Sequence, residues 1–196
     1  MDGHKIRSPD AGTAQHSHDQ GVAAVHEAAS LATPAGASKT SLAELHHIIQ
    51  AAMGWYDCHL HQFEVDGVDY ADPEHMLEET TDEARRTLAR MQVRQRFAYW
   101  YDFGDDWWHD ISVESVARAD PALTYPRCVT GRRTCPPEDC GGPWGFDELM
   151  RALGDEKHPE HEMYREWIPV DYDPARFDLD KINEALAQLA TSALQS

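Results

Sequence analysis

Histidine and aspartate side chains recur in two neighbouring segments, where their spacing allows shared chemistry. His59 and His61 lie two residues apart in an alternating segment that predicts a strand with both on one face. Two histidines and a carboxylate can bind a divalent ion, and a histidine can act as an acid or base near neutral pH. The alternative is that Asp105 and Asp106 only shape a turn and that the histidines form hydrogen bonds within a polar sheet face. The catalytic candidates are His59, His61, Asp105, Asp106 and His109.

Three cysteines fall in one Pro- and Gly-rich segment and form a second candidate site. Cys128, Cys135 and Cys140 are separated by six and four residues, which is wider than the C-x2-C spacing of zinc ribbons. A structural zinc ion would need a fourth ligand and would anchor the long loop. Reduced thiols in a loop held by Trp144 and the prolines are the alternative, and a disulfide is a third one. The fourth zinc ligand would be Cys58, His59, His61 or His109.

Two further sets of side chains suggest ligand binding. The only basic cluster beside this irregular backbone could contact a phosphate or carboxylate, and it consists of Arg127, Arg132 and Arg133. A run of aromatic residues could stack on single-stranded nucleic acid, but such platforms lie in positive grooves and this segment is acidic. We therefore expect the aromatic residues to pack in the core: Tyr99, Trp100, Tyr101, Trp107 and Trp108.

Charge and composition limit the classes of function. The chain has 196 residues, with 17 Lys and Arg against 35 Asp and Glu, which gives a formal net charge of -18. This balance argues against non-specific nucleic-acid binding, which depends on Lys and Arg. No apolar run is long enough for a membrane helix and no secretory signal opens the chain, so we expect a cytoplasmic protein with no membrane partner.

Local patterns predict one α+β domain over residues 40–196 after a tail. Residues 1–39 contain no aromatic residue and predict a disordered or weakly helical tail. Ser41 and Glu44 have the spacing of a capping box, which predicts the start of a helix. An apolar stripe follows, and Gly54 is placed to end this helix. Hairpins are predicted at Asp66-Gly67 and at 104–106, a short helix at 82–91 and an irregular segment at 125–145. Helices are predicted at 146–153, at 160–168 and from Asp178 onwards.

Several of these segments, in this order, carry a resemblance to a known family. They are Leu42-Ala-Glu-Leu-His46, Gln50-Ala-Ala-Met-Gly-Trp55, His59-Leu-His-Gln-Phe63, Tyr101-Asp-Phe-Gly-Asp-Asp-Trp-Trp-His109, Cys135-Pro-Pro-Glu-Asp-Cys-Gly-Gly-Pro-Trp-Gly145 and Phe177-Asp-Leu. Over about residues 40–190 the chain resembles the Ri-plasmid open-reading-frame-three-like family, also labelled insertion-element passenger TnpR-like proteins. The resemblance implies an α+β fold with a mixed or antiparallel sheet and flanking helices, and a bacterial, mobile-element setting. It supplies no catalytic mechanism.

The chain departs from the family before Ser41. Relatives have an apolar strand and a Pro-Pro-x-Trp-Arg-Arg strand there, and residues 1–39 contain neither pattern. The sequence therefore predicts that the N-terminal strands of the family are missing and that a sheet edge is unpaired. Because no catalytic pattern is evident, we expect an accessory or interaction domain with a protein partner. The alternative is a metal-dependent enzyme or a resolvase-like DNA-processing factor.

Overall fold

The first helix positions one wall of the candidate site. The computed structural model describes residues 2–7, 29–33, 40–118 and 120–193. Helix α1 (Leu42–Met53) begins at the predicted capping box: the Glu44 amide donates to Ser41 Oγ at 3.2 Å and the Ser41 amide donates to Glu44 Oε2 at 2.7 Å. It ends at Gly54, whose left-handed backbone lets its amide bond Gln50 O. One side of α1 is buried against the sheet.

In the described part of the chain, eight strands form one sheet in the order β5-β4-β3-β6-β7-β1-β2-β8. Every pair is antiparallel except β4 with β5, so the sheet is mixed and the α+β prediction is confirmed. The strands are β1 (Asp2–Arg7), β2 (Ala29–Ala32), β3 (His61–Val65), β4 (Val68–Ala71), β5 (Thr81–Asp82), β6 (Arg96–Tyr101), β7 (Trp107–Arg118) and β8 (Arg127–Gly131).

The histidine-bearing hairpin and the aromatic hairpin lie side by side. Strands β3 and β4 turn at Asp66 and Gly67, as the sequence predicted, and β6 pairs with both β3 and β7. In this register His61 is opposite Tyr101 and Phe63 is opposite Tyr99. Alternate residues of β3 and β6 are buried and face α1, so the sheet centre forms the floor of the site.

The remaining helices complete the core. They are α2 (Gly142–Gly154), α3 (His161–Trp167) and α4 (Leu179–Ala193). The main cluster joins α1, α2 and the central strands, and a second cluster lies where α4 packs on α1 and β8. At the second cluster the Asn183 amide group bonds both the N–H and the carbonyl of Cys128. None of the helices in the described part of the chain has the length and apolar character needed to cross a membrane.

Four sequence-based expectations about local structure are corrected. A tail without strands does not describe residues 2–7 and 29–32, because β1 pairs with β7 and β2 pairs with β1 and β8. The weakly helical character expected of the tail, over residues 22–31, is contradicted at 29–31, which belong to β2, and residues 22–28 lie outside the described residues. Residues 82–91 form two short 3-10 turns at Glu83–Arg85 and Leu88–Arg90, and the irregular segment contains strand β8.

Candidate metal centre

A cavity of about 450 Å³ opens beside the amino-terminal half of α1, from which Ala43, His46 and His47 line it. Four short segments supply its polar walls: α1 itself, the chain that follows Gly54 into β3, the 3-10 turn at Pro73–His75 and the turn at Glu83–Arg85. No lysine or arginine is among the described residues that line it. Its titratable groups are five histidines, three carboxylates and one thiol, namely His46, His47, His59, His61, His75, Asp57, Asp72, Glu83 and Cys58.

Two imidazoles and a carboxylate converge at the buried end of the cavity. The His46 and His61 rings stack with centroids 3.5 Å apart and an interplanar angle of 7°. His46 Nε2 lies 2.6 Å from Asp57 Oδ1. One ligand atom from each of His46, Asp57 and His61 lies within 4.8 Å of the other two. Two imidazole nitrogens and one carboxylate oxygen form a donor set that zinc and other divalent transition metals use.

One nitrogen of His61 has a partner and the other has none among the described residues. His61 Nε2 is 2.9 Å from Glu83 Oε2, and both side chains are almost completely buried. In the described part of the chain, His61 Nδ1 is buried and lacks a hydrogen-bond partner, and so does Nδ1 of His75, whose ring stands at 88° to that of His61 with centroids 5.1 Å apart. A buried polar atom without a partner costs free energy, so these two nitrogens favour a ligand at this place.

Burial sets the protonation state of His46. The pKa of His46 is lowered to about 3, because loss of hydration and the neighbouring His61 ring lower it more than Asp57 raises it. Partial burial acts to raise the pKa of Asp57, but His46 and the other nearby imidazoles outweigh it and the pKa is lowered. A neutral imidazole beside an ionised carboxylate is the state in which both groups can bind a metal ion.

Two other groups of ligand-type side chains lie away from this point. His59 Nε2, on the cavity wall, is 2.9 Å from Asp139 Oδ1 and 3.6 Å from Asp102 Oδ2. Unlike His61, His59 has no buried ring nitrogen without a partner among the described residues, so this trio gives no sign of a missing ligand. The third group, formed by Glu148, His158 and Glu160, contains a carboxylate that Arg151 neutralises.

The likeness to other proteins covers the cavity. A family model described as plasmid pRiA4b ORF-3-like protein matches residues 36–181. The chain belongs to the plasmid pRiA4b ORF-3-like family. It is 38% identical over 156 residues to the uncharacterized protein y4hQ of Sinorhizobium fredii (strain NBRC 101917 / NGR234), which spans 76% of this chain and 79% of that one. The crystal structure of a protein of unknown function, MM3350 from Methanosarcina mazei Go1, superimposes with a TM-score of 0.76 at 27% identity over 91% of this chain and 96% of that chain.

In this pRiA4b ORF-3-like protein the five predicted catalytic residues do not all lie at the cavity. His59 and His61 both line the cavity, but the other three candidates do not. Asp105 Oδ2 accepts from the Gly141 amide and Asp106 Oδ1 accepts from the Trp108 indole, so both aspartates hold turns in place. His109 lies 3.3 Å from the Tyr99 carbonyl oxygen and packs edge-on against Trp55.

The pRiA4b ORF-3-like fold does not bring the three loop cysteines together as a ligand set. Cys128 is buried in the second hydrophobic cluster, whereas Cys140 lies in the main cluster and Cys135 packs against it. Among the described residues, no group of ligand atoms within 4.8 Å contains a cysteine. The loop is instead anchored by protein contacts, because Trp55 Nε1 donates to Pro136 O and Tyr101 donates to Glu138.

The arginine cluster is also separate from the cavity. Arg127 lies in β8, and Arg132 and Arg133 are exposed just beyond its end. None of the three lines the cavity. Anion binding by these arginines therefore stays a prediction that involves a different surface.

Most residues at the centre of this pRiA4b ORF-3-like site were not predicted from the sequence. The residues not identified were His46, His47, Asp57, Asp72, His75 and Glu83. One signal was present: His46 and Gln50 are four apart and interrupt the buried face of α1 formed by Leu42, Leu45 and Ile49. A histidine at a core position of an amphipathic helix needs a polar partner inside the fold.

Proposed function

We propose that the protein binds a zinc-class divalent ion in this cavity through His46, Asp57 and His61. The observation that carries the proposal is the pair of environments around His61: Nε2 is held by the Glu83 carboxylate, while Nδ1 is buried without a partner among the described residues. Metal-bound histidines regularly donate their second N–H to a carboxylate, which fixes the ring and its tautomer. His61 Nδ1 is thus the nitrogen left for a metal ion.

Three protein ligands beside an open cavity favour a site that accepts a further group. Structural zinc sites have four protein ligands, whereas catalytic sites have three and keep a position for water or substrate. This supports the metal-dependent alternative over a purely structural ion. Because acidic groups and histidines line the cavity without a lysine or arginine, we expect a neutral or cationic molecule to enter it.

The cellular setting is also part of the proposal. Membership of the plasmid pRiA4b ORF-3-like family supports a plasmid-associated setting, and within it we propose a bacterial, cytoplasmic accessory role with a protein partner, of the insertion-element passenger (TnpR-like) kind. The formal charge of -18 disfavours resolvase-like DNA work. Retention of duplex DNA at low salt, weakening steeply as salt is added, would contradict this view.

Metal analysis of the purified chain tests the metal proposal. After incubation with Zn²⁺, Mn²⁺ or Fe²⁺ and removal of excess metal, elemental analysis should find one zinc per chain. His61→Ala and Asp57→Asn should each lose it, and Asp57→Asn keeps the size and shape of a half-exposed side chain. The matched control is His158→Ala, which removes a histidine from a different acidic group.

Circular dichroism must show that each variant is folded before its zinc content is compared with that of the wild type. Loss of zinc in the two cavity variants but not in His158→Ala supports the proposal. Wild-type protein without metal, or zinc that survives both cavity substitutions in folded protein, rejects it. Preferential loading with Fe²⁺ would reject zinc as the ion while keeping the site, since the same donor set suits ferrous iron.

A further inference from the structure

A line of buried polar side chains runs from α1 into the candidate metal centre. Gln50 Nε2 donates to the Tyr99 hydroxyl oxygen at 2.9 Å, and that oxygen lies 2.8 Å from His46 Nδ1. At the far side of the ring, His46 Nε2 is 2.6 Å from Asp57 Oδ1. Gln50, Tyr99 and His46 are each at most 3% exposed, so water does not compete for these bonds.

The direction of the bonds determines which nitrogen of His46 carries its proton. Because the Gln50 amide donates to the Tyr99 oxygen, the Tyr99 hydroxyl is left to donate to His46 Nδ1. The hydroxyl keeps its proton, since burial raises the pKa of Tyr99 well above its ordinary value. A neutral His46 then bears its single proton on Nε2 and donates it to Asp57. In this arrangement Nε2 has no free lone pair for a metal ion.

The opposite direction of these hydrogen bonds leaves the Nε2 lone pair of His46 free to bind a metal ion. When the proton is on Nδ1, His46 donates to the Tyr99 oxygen, and the hydroxyl needs another acceptor. Among the described residues Gln50 Oε1 is buried without a partner, and half a turn of the amide group brings it to the place where Nε2 now lies. The opposite direction also gives up the Nε2–H bond to Asp57, so it becomes favourable only when Nε2 binds a metal ion instead.

We propose that Gln50 and Tyr99 are positioning residues that set the tautomer of His46 and so switch the centre between a metal-free and a metal-binding state. The inference rests on the proposed function, because it assigns Nε2 of His46 to the metal. In the switch one proton leaves Nε2 and one arrives at Nδ1 by exchange with solvent, the Tyr99 hydroxyl rotates and the Gln50 amide turns. The net charge of the imidazole is unchanged.

Nuclear magnetic resonance of the chain labelled with ¹⁵N-histidine tests the switch directly. Without metal, His46 should show the Nε2–H tautomer, and after one equivalent of Zn²⁺ it should show Nδ1–H with Nε2 bound to the ion. Tyr99→Phe and Gln50→Leu should weaken zinc binding by about 10-fold to 100-fold, because second-sphere partners of ligating histidines have effects of that size. A structural role alone would not change the tautomer.

The control is Tyr101→Phe, which removes another buried tyrosine hydroxyl from the same face of β6. That hydroxyl bonds the Cys58 amide and Glu138 and has no part in the line to His46. An effect on zinc affinity as large as that of Tyr99→Phe, or an Nδ1–H tautomer in the metal-free chain, overturns the switch. Wild-type protein that binds no zinc rejects the proposed function instead, and the metal-free tautomer still decides whether the hydrogen bonds run in the inferred direction.

Discussion

The imidazole rings of His46 and His61 stack almost parallel, with their centroids 3.5 Å apart. Each ring also has a carboxylate partner, Asp57 for His46 and Glu83 for His61. Two imidazolium ions at this distance would repel each other, and burial disfavours even one charge on His46. The stack therefore keeps at least one ring neutral and able to donate a lone pair.

Glu83→Gln should weaken zinc binding by about 10-fold while the fold is kept. The neutral amide is a poorer acceptor for the His61 Nε2–H than the carboxylate, so Nδ1 becomes less basic and its ring less firmly oriented. Competition with a chelating dye measures the affinity. Glu138→Gln is the matched control, because Glu138 bonds Tyr101 and the Tyr56 amide outside the cavity lining. Equal loss in both variants would show that general charge, and not the His61 contact, sets the affinity.

His109 should make the protein less stable as the pH falls from about 6.5 to 4. Burial lowers the pKa of His109 to about 4 in the folded chain, against an ordinary value of 6.5. The unfolded chain therefore takes up a proton first, and folding stability is lost across that interval on the order of 2 kcal/mol.

Urea unfolding at a series of pH values measures this effect. His109→Phe removes one titrating group and should reduce the pH dependence between 7 and 4, with the remainder due to His46, whose pKa is lowered to about 3. The stability of this variant at pH 7 will fall because the Tyr99 carbonyl contact is lost. An identical slope in wild type and His109→Phe would show that His109 is not protonated on unfolding.

Local elements of the fold were predictable because each is encoded over a few neighbouring residues. The capping box at Ser41 and the left-handed Gly54 define α1, and the Asp66-Gly67 turn defines a hairpin. Strands β1 and β2 lack such local patterns, and the structure shows them as members of the sheet through pairing with β7 and β8. Strand pairing across the chain overrides weak local preference.

The candidate site was only half predictable for the same reason. His59 and His61 were identified since they share one short segment, and both line the cavity. Their partners His46, Asp57 and Glu83 come from separate segments that meet only when α1 packs on the sheet. The prediction of a shared cysteine ligand set failed for the opposite reason. The three cysteines are close in sequence, but Cys128 lies in β8 and no group of potential ligands among the described residues contains a cysteine.

Cys135→Ser should leave zinc stoichiometry unchanged. The cysteine packs against the main hydrophobic cluster and belongs to no group of potential ligands among the described residues. Elemental analysis of this variant beside Asp57→Asn compares the two candidate sites in one experiment. Zinc lost from Cys135→Ser and kept by Asp57→Asn would move the site to the cysteine loop.

Gly142→Ala should destabilise the protein by on the order of 3 kcal/mol or more. Gly142 has a φ of +67°, and a Cβ atom there would lie 2.0 Å from the backbone oxygen of Asp105. That contact joins the start of α2 to the turn between β6 and β7, and both partners are backbone, so neither can rotate away. The substitution must therefore separate α2 from the turn or unfold its first residues.

Gly154→Ala is the matched control on the same helix. Gly154 ends α2, and a Cβ atom there would meet nothing within 4 Å. Its replacement should change the free energy of unfolding by less than about 1 kcal/mol, in the stabilising direction, because alanine favours a helix more than glycine does. Chemical denaturation of both variants gives the comparison. Equal stability of the two variants would mean that the first residues of α2 do not pack tightly against the backbone of Asp105. The Asp105 side chain, which accepts from the Gly141 amide, would then be what anchors α2 to the aromatic hairpin.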